Sequence, residues 1–467
     1  MEKEFFESLI AILGQTNVTQ NKEDLQDVSH DYTEDLSFLP EILIFPENSI
    51  QVSECVKLCS QFNVPIYTRG AGTGLSGACL PVKGGLVLST KKMNRILEID
   101  IQNMMATVEP GLINIHLKQA LEPYELTYPP DPASFGSSTI GGNVAHGAGG
   151  PKAVKYGTTR DYILNLEVVL PNGEIIWTGA NTLKNSTGFS LTHLFIGSEG
   201  LLGIITKIVV KLVPKTQHEL LMLAMFEKAE DAAVAVNKVL LSGMLPTGLE
   251  LMEVSGVKIA ADATKTNFPI PSNVEFYLLI ILDGNVLDEL MLQAEQIFPI
   301  LDENGAFEVL MPNNAQMAED WWKVRRSIGE TVKQQSIYKE EDTVVPRAHL
   351  PQLLTGVKEI GAKYGFRTVC YGHAGDGNLH VNILKDQLSD EKWEIEIPKG
   401  ITEIFELCKK LGGTISGEHG VGFVQKPYLD VVFTPDHWRL MQGIKTVFDP
   451  QNLLNPGKWI ESRQPIN

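Results

Sequence analysis

Apolar positions between residues 41 and 69 follow two different periods. Residues 41–46 (EILIFP) form a short apolar run, residues 49–62 (SIQVSECVKLCSQF) repeat at helical spacing, and residues 64–69 (VPIYTR) are again strand-like and enter a glycine-rich turn. The pattern predicts a strand, an amphipathic helix and a second strand. From residue 85 to about 214, apolar stretches such as GLVLST, LNLEVVL and the alternating IITKIVVKLV are separated by long Gly, Pro, Ser and Asn loops. Pro171-Asn172-Gly173, between LEVVL and EIIWTG, predicts a hairpin. Beyond Pro214 the texture changes. Strand-like runs (LLMLAMF, LELME, EFYLLIIL, FEVLMP) alternate with helical ones (KAEDAAVAVNKVLL, VLDELMLQAEQIF, NAQMAEDWWKVRRSIGETV), as expected of a second α+β domain. Residues 366–382 read as two short strands around a glycine turn and 398–412 as a helix entering a glycine loop. Residues 448–458 read as a turn-rich tail with an apolar centre.

A chain of 467 residues is too long for one ordinary core, so two or three packed units are expected. Its formal charge of −18 speaks against nucleic-acid binding, which depends on Lys and Arg neutralising phosphates. An anionic substrate would need a local basic cluster to offset that field. The first residues, MEKEFFESLIAILG, place acids where a signal peptide needs basic residues, and no apolar run approaches the roughly 20 residues of a membrane span. A cytoplasmic protein is expected, with peripheral attachment to the inner membrane compatible with the sequence. Cys55, Cys59, Cys79, Cys370 and Cys408 lack iron–sulfur or zinc-finger spacing; Cys55 and Cys59, one helical turn apart, read as helix packing.

Three glycine-rich segments are the first candidates for chemistry. Residues 69–77 (RGAGTGLSG) contain Arg69, Gly70, Ala71, Gly72, Thr73, Gly74, Ser76 and Gly77, whose backbone amides and hydroxyls can surround a diphosphate. The segment spells G-x-G-x-x-G, but Pro81, Gly84 and a strand follow where a Rossmann fold needs a helix. A structural turn without ligand is the alternative. Residues 128–150 form a long run almost without bulky aliphatics, in which Pro129, Ser134, Ser138, Thr139, Gly142 and Asn143 offer small or hydrogen-bonding atoms to a pyrophosphate or ring. His146, in the same run, reads as a structural hydrogen-bonding residue. Residues 195–206 (FIGSEGLLGIIT) add Gly200, Gly203 and Ile205 before a strand.

Two further motifs carry polar side chains. In GHAGDGNLHVN (372–382), His373 and His380 lie on the arms of a glycine turn and Asn382 shares a strand face with His380. Glu418 and His419 sit in a separate loop, SGEHGVG (416–422). Two imidazoles and a carboxylate suit an open zinc or manganese site; the alternative is polar residues satisfied in a turn. In WWKVRRSIG (321–329), Arg325 can fork onto a carboxylate, or the basic residues can form a solvated helix face.

Taken together, RGAGTGLSG, PPDPASFGSSTIGGNVAHGAGG, GSEGLLGIIT, YGHAGDGNLHVN, SGEHGVG and FDPQNLLNPGK resemble the vanillyl-alcohol oxidase superfamily, in its D-lactate dehydrogenase and glycolate oxidase D-subunit branch. The resemblance spans roughly residues 30–460. It implies an α+β fold, with a two-part FAD-binding domain (PCMH type) over residues 1–214, an antiparallel-sheet cap over 215–415 and a C-terminal segment, 416–467, returning to the FAD domain. It implies a pyrophosphate loop at Gly70, Gly72, Thr73 and Gly74, with Ser138, Gly142 and Ile205 around the flavin and Asn455 joining the cofactor set. The first loop holds no histidine of the kind that tethers FAD in some relatives, so the cofactor is expected to be non-covalent. Metal-dependent relatives hold a zinc or manganese ion at positions matching His373, His380 and Glu418. The arginine of their W-x-x-R pattern, here Arg325, contacts the substrate carboxylate. Asn382 and His419 complete the implied substrate set, with His419 as catalytic base. Relatives specific for longer dicarboxylates carry a further lysine, which Lys339 matches only with spacing one residue off. The implied reaction is oxidation of a small D-2-hydroxy acid (D-lactate, glycolate or D-2-hydroxyglutarate class). Electrons would pass to an external acceptor: a quinone, a cytochrome, an electron-transfer flavoprotein or oxygen. A flavin-binding electron-relay subunit of a glycolate oxidase-like complex is the alternative, and a homodimer is among the assemblies to expect.

Overall fold

The computed structural model describes residues 3–33 and 36–461. The chain divides into two compact units. One comprises residues up to Gly149, Thr158–Lys215 and the chain from Glu418 onward; the other comprises Gly150–Gly157 and Thr216–Gly417.

In the first unit a four-stranded sheet is ordered Val18–Thr19, Ile42–Ile44, Leu86–Ser89, Ile66–Arg69, the last three mutually parallel. The helix Ser49–Phe62 connects Ile42–Ile44 to Ile66–Arg69. Asn48 caps it by accepting from the Gln51 amide, and Asn63, in the left-handed region, ends it. Its buried face, Val52, Cys55, Val56 and Cys59, packs with Phe5, Leu9, Ile44 and Leu86. The paired cysteines are therefore core residues. The 69–77 loop leaves the carboxyl end of Ile66–Arg69, the end at which open α/β sheets bind ligands. An antiparallel five-stranded sheet has the order Ile96–Asp100, Met105–Val108, Ile204–Lys211, Ile163–Val169, Ile175–Trp177, and the hairpin at 171–173 joins its last two strands.

The segment 128–150, which reads as a loop, contains one short helix, Ile140–His146. Thr139 caps it through the Gly142 amide, and Gly147 terminates it at φ 69°. Small residues conceal this helix, because its buried face, Ile140, Gly141, Asn143 and Val144, has little apolar periodicity.

Two polar anchors return the C-terminal segment to this unit. Lys445 donates to Leu201 O and Leu454 O at 2.9 Å and pairs with Asp449, which accepts from the amides of Leu453 and Leu454. Lys458, fully buried, donates to Gly77 O at 2.8 Å and Leu80 O at 2.6 Å, beneath the first glycine loop.

The second unit is built on a seven-stranded sheet ordered Ala306–Leu310, His218–Phe226, Phe276–Gly284, Gly248–Glu253, Arg367–His373, Asn378–Leu384, Tyr338–Val344, with every pairing antiparallel. The helices Val254–Thr264 and Ala315–Lys333 bury Val257, Trp321, Val324 and Ile328 against Tyr277, Leu279, Val369 and Tyr371 on one sheet face.

Asp283 ties the short 150–157 segment to this sheet: it pairs with Lys155 and accepts from Tyr156 Oη (2.7 Å), Thr216 Oγ1 (3.1 Å) and Thr247 Oγ1. Burial would raise its pKa, but these donors outweigh it and hold the carboxyl below its usual range. A depressed folded-state pKa means that the stabilisation is present above the unfolded value near 4 and is lost as pH falls through the folded one. Asp283→Asn is expected to cost roughly 2 kcal/mol at pH 7. Thermal midpoints of the two proteins should converge as pH drops below 4; a gap that persists in acid would show that charge is not the cause.

Candidate functional site

A cleft lies in the first unit. Its wall includes Gly70, Ala71, Gly72, Thr73 and Gly74 from the first glycine loop, Ser134, Ser138, Thr139, Gly142 and Asn143 from the second, and Gly200, Gly203 and Ile205 from the third. Three loops whose wall residues run from Gly70 to Ile205 thus line one cavity. Gly72 sits at φ 75°, in the left-handed region that favours glycine, with the Arg69 guanidinium packed where a Cβ would be. Ser138 Oγ and Asn143 Nδ2 are buried without a hydrogen-bond partner among the described residues. Unpaired buried donors at a glycine-lined cleft fit a ligand with polar oxygens, because leaving them unsatisfied costs about 1–3 kcal/mol each.

Five residues of the expected cofactor set are absent from the cleft wall. Arg69 turns to Val28 O (3.4 Å) and Cys79 Sγ (3.5 Å), and the Gly77 amide donates to Thr33 Oγ1 at 2.8 Å. Pro129 is buried. Asn455 donates to Ala78 O (2.9 Å) and Glu199 O (2.7 Å), and Ser76 Oγ donates to His419 O at 3.1 Å. These residues brace the wall. The wall also holds residues that the motifs did not single out as contacts, notably Asp31, Cys79 and Glu199, besides Glu418 and His419. Burial pushes the Asp31 carboxyl up and the Cys79 thiol to about 11.

His419 is held by backbone contacts within the first unit. Its carbonyl accepts from Ser76 Oγ and bonds His146 Nδ1 at 3.0 Å, giving His146 a structural role. Glu199, itself in the left-handed region at φ 52°, accepts the Val421 amide at 2.7 Å on Oε1 and the Gly422 amide at 2.8 Å on Oε2. A two-pronged carboxylate therefore fixes the loop just after His419. Glu418, 3.9 Å from the His419 ring, packs on Gly149, where a Cβ would lie 2.8 Å from its carboxylate.

The second unit has its own buried polar cluster. Glu250 is fully buried, pairs with Arg325 and bonds His373 Nδ1 at 2.8 Å and 3.0 Å. Burial works to raise its pKa, but Arg325 and then His373 overcome this and keep the carboxyl low. With Nδ1 engaged, His373 presents Nε2 as its coordinating atom, the arrangement usual for metal-binding histidines. His380 lies edge-on to it, ring centroids 5.5 Å apart, with ring nitrogens within 4.8 Å of each other. Asp342, 3.7 Å from His380 Nδ1, also receives Asn378 Nδ2, Ser416 Oγ and the Gly417 amide. The donor set of this pair suits a borderline cation such as zinc. Arg325 is buried, not on a solvated face, and its guanidinium lies 5.2 Å over the Tyr371 ring with Nε unbonded among the described residues. Lys339 stacks 5.2 Å over Trp393.

A cleft walled by three glycine-rich loops and buried polar donors defines a protein that binds a ligand rich in polar oxygens. Residues 40–179 match the FAD binding domain model and residues 215–459 the model of the FAD linked oxidases C-terminal domain. The chain belongs to the FAD-linked oxidase family, and is an oxidoreductase of that family. Among its relatives, the glycolate oxidase subunit GlcD of Bacillus subtilis (strain 168) is 38% identical over 98% of this chain and 96% of its own. The D-lactate dehydrogenase of Anaerostipes hadrus is 36% identical over 92% and 93%, and the D-2-hydroxyglutarate dehydrogenase of Stutzerimonas stutzeri (strain A1501) 32% over 94% and 95%. The fold is that of p-cresol methylhydroxylase, with a TM-score of 0.81 at 19% identity over 98% of this chain and 96% of that one. No helix among the described residues is long and apolar enough to cross a membrane.

Glu199→Gln keeps the side-chain volume but replaces one acceptor with a donor facing an amide. Hydrogen exchange at Val421 and Gly422 is expected to accelerate at least about tenfold, matching the ~1.5–3 kcal/mol of a bond to a charged group. Unchanged protection would remove Glu199 from its clamping role.

Proposed function

We propose that this flavoprotein oxidises a small D-2-hydroxy acid to the 2-oxo acid and passes the electrons to an external acceptor. The observation that carries this reading is that the loop bearing Glu418 and His419 forms part of the wall of the cleft lined by the three glycine loops. A titratable imidazole at a flavin cleft is suited to take a proton from a hydroxyl while the carbon-bound hydrogen leaves as hydride. Relatives named for glycolate, D-lactate and D-2-hydroxyglutarate point to the same substrate class.

The Gly70–Gly74 loop would hold the cofactor diphosphate, and Ser138, Gly142, Asn143 and Ile205 the ring system. Bound FAD supplies the two-electron acceptor for the hydride. His419 takes the hydroxyl proton, with its loop fixed by Glu199 and Ser76. Arg325 holds the substrate carboxylate through the face of its fork not used by Glu250, and Asn382 contributes its amide. His373, His380 and Glu418 would hold a divalent zinc or manganese ion, which would lower the pKa of the substrate hydroxyl. FAD is held without a covalent bond, since the first loop lacks a histidine and Cys79 stays a thiol near neutral pH, whereas the thiolate is the reactive form.

Acid precipitation of the yellow protein is expected to release intact FAD into the supernatant. Colour that stays in the pellet would overturn non-covalent binding. Under anaerobic conditions D-lactate or glycolate should bleach the flavin. His419→Ala should keep FAD and metal but lose at least about a hundredfold in bleaching rate, as expected for a general base. His380→Ala should lose the metal by elemental analysis and keep FAD. A wild-type protein that no 2-hydroxy acid bleaches would instead be an electron-relay subunit, and one fully active after exhaustive chelation would need no ion.

A further inference from the structure

Beside Arg325 lies a buried acid that the reaction above does not use. The Tyr371 ring, over which Arg325 stacks, extends its hydroxyl to Glu340 Oε1 at 3.2 Å. Gly329, one turn beyond Arg325, makes this contact possible, because a Cβ there would come 2.6 Å from the Tyr371 hydroxyl. Glu340 is nearly buried and its other oxygen meets Lys333 Nζ at 2.6 Å. Across the ladder it faces Asn382, whose carboxamide is fully buried beside the Tyr371 hydroxyl and finds no hydrogen-bond partner of proper geometry among the described residues. A Glu340 oxygen also lies within 4.8 Å of a His380 ring nitrogen. Arg325, Tyr371, Asn382, Glu340 and His380 thus form one contiguous polar wall in the second unit. Within that wall the Nε of Arg325 has no hydrogen-bond partner among the described residues, whereas Lys333 is already engaged by Glu340.

We propose that Glu340 sets the substrate class, admitting 2-hydroxy acids with a small uncharged substituent and rejecting those with a second carboxylate. The inference rests on Arg325 as the carboxylate anchor. With the 2-carboxylate on Arg325 and the hydroxyl toward His380, the substituent runs along the Tyr371 ring toward Glu340. Hydrogen or methyl ends short of it. A distal carboxylate meets a like charge in a dry environment, and the cation that could compensate is already paired, which is how a site discriminates by repulsion.

The test compares kcat/KM for D-lactate, D-2-hydroxyglutarate and D-2-hydroxypentanoate, the last being the neutral acid of equal chain length, in wild type and Glu340→Gln with an artificial dye as acceptor. In wild type the ratio of D-2-hydroxyglutarate to D-2-hydroxypentanoate is expected below about 1:100, and in the variant it should rise at least about tenfold, while D-lactate changes less. A structural role for Glu340 would lower all three together and leave the ratio unchanged, which overturns the proposal. So does a wild type that uses the diacid as well as the neutral acid. Should the variant fail to fold, inhibition of wild type decides: 2-oxopentanoate must bind at least about tenfold more tightly than 2-oxoglutarate. Absence of turnover with every acid would overturn the reading of the reaction as well, whereas turnover with an unshifted ratio overturns only the role of Glu340.

Discussion

The carboxylate of Glu199 is the point on which the cleft depends. Its two oxygens take the amides of Val421 and Gly422, and its own carbonyl receives Asn455. One residue from the middle of the chain therefore binds two separate stretches of the C-terminal segment. Those stretches carry the rest of the support: Asn455 also holds Ala78 O, and Lys458 holds Gly77 O and Leu80 O under the glycine loop. A loop rich in glycine gains little from burial and loses much entropy on ordering, so its shape has to be imposed by such bonds. Burial draws the Lys458 pKa down to about 8, the expected response of an ammonium taken out of water. The first glycine loop and the His419 loop are thus parts of one hydrogen-bonded assembly.

The second unit solves its positioning problem with charge. A fully buried Glu250 would be costly alone, and it persists because Arg325 and His373 both meet it. Such a network is a weak source of net stability, since desolvation offsets most of the attraction, but removing one member costs about 3–5 kcal/mol. Its effect is to fix geometry. It sets which nitrogen His373 presents, and it immobilises the Arg325 fork over Tyr371.

Local signals made the elements legible. The helix Ser49–Phe62 is bounded at both ends by asparagines in capping conformations, and its apolar period is intact, so reading and structure coincide. The FAD-domain likeness was likewise written in long glycine motifs. Other features had no local signature. The helix Ile140–His146 is made of small residues, and the strand order of the seven-stranded sheet departs from chain order, which only long-range packing decides. Glu199 lies 222 residues from Val421 and Glu250 lies 123 from His373, separations at which spacing carries no information. For Glu199 the one available hint was an acid between glycines in GSEG. For Glu250, inside the apolar strand LELME, it was a carboxylate at a position whose neighbours are all buried.

A chain carrying −18 repels a 2-hydroxy acid at a distance, yet that repulsion decays within a Debye length of about 8 Å at physiological salt. What the anion meets at close range is different. In the polar cluster of the second unit, Arg325 and Lys333 are each already paired, with Glu250 and Glu340, and Asp342 adds a further buried carboxylate beside His380, so the cluster offers no free cation to draw the anion in. On the function proposed above, recognition would come from directed donors left over after the internal pairs are formed, namely the Nε of Arg325 and the amide of Asn382, which find no partner among the described residues. Donors of this kind discriminate by position, because a carboxylate displaced by an ångström loses the bond while the desolvation cost remains. An acidic protein can therefore hold an anionic substrate selectively without becoming a general anion binder.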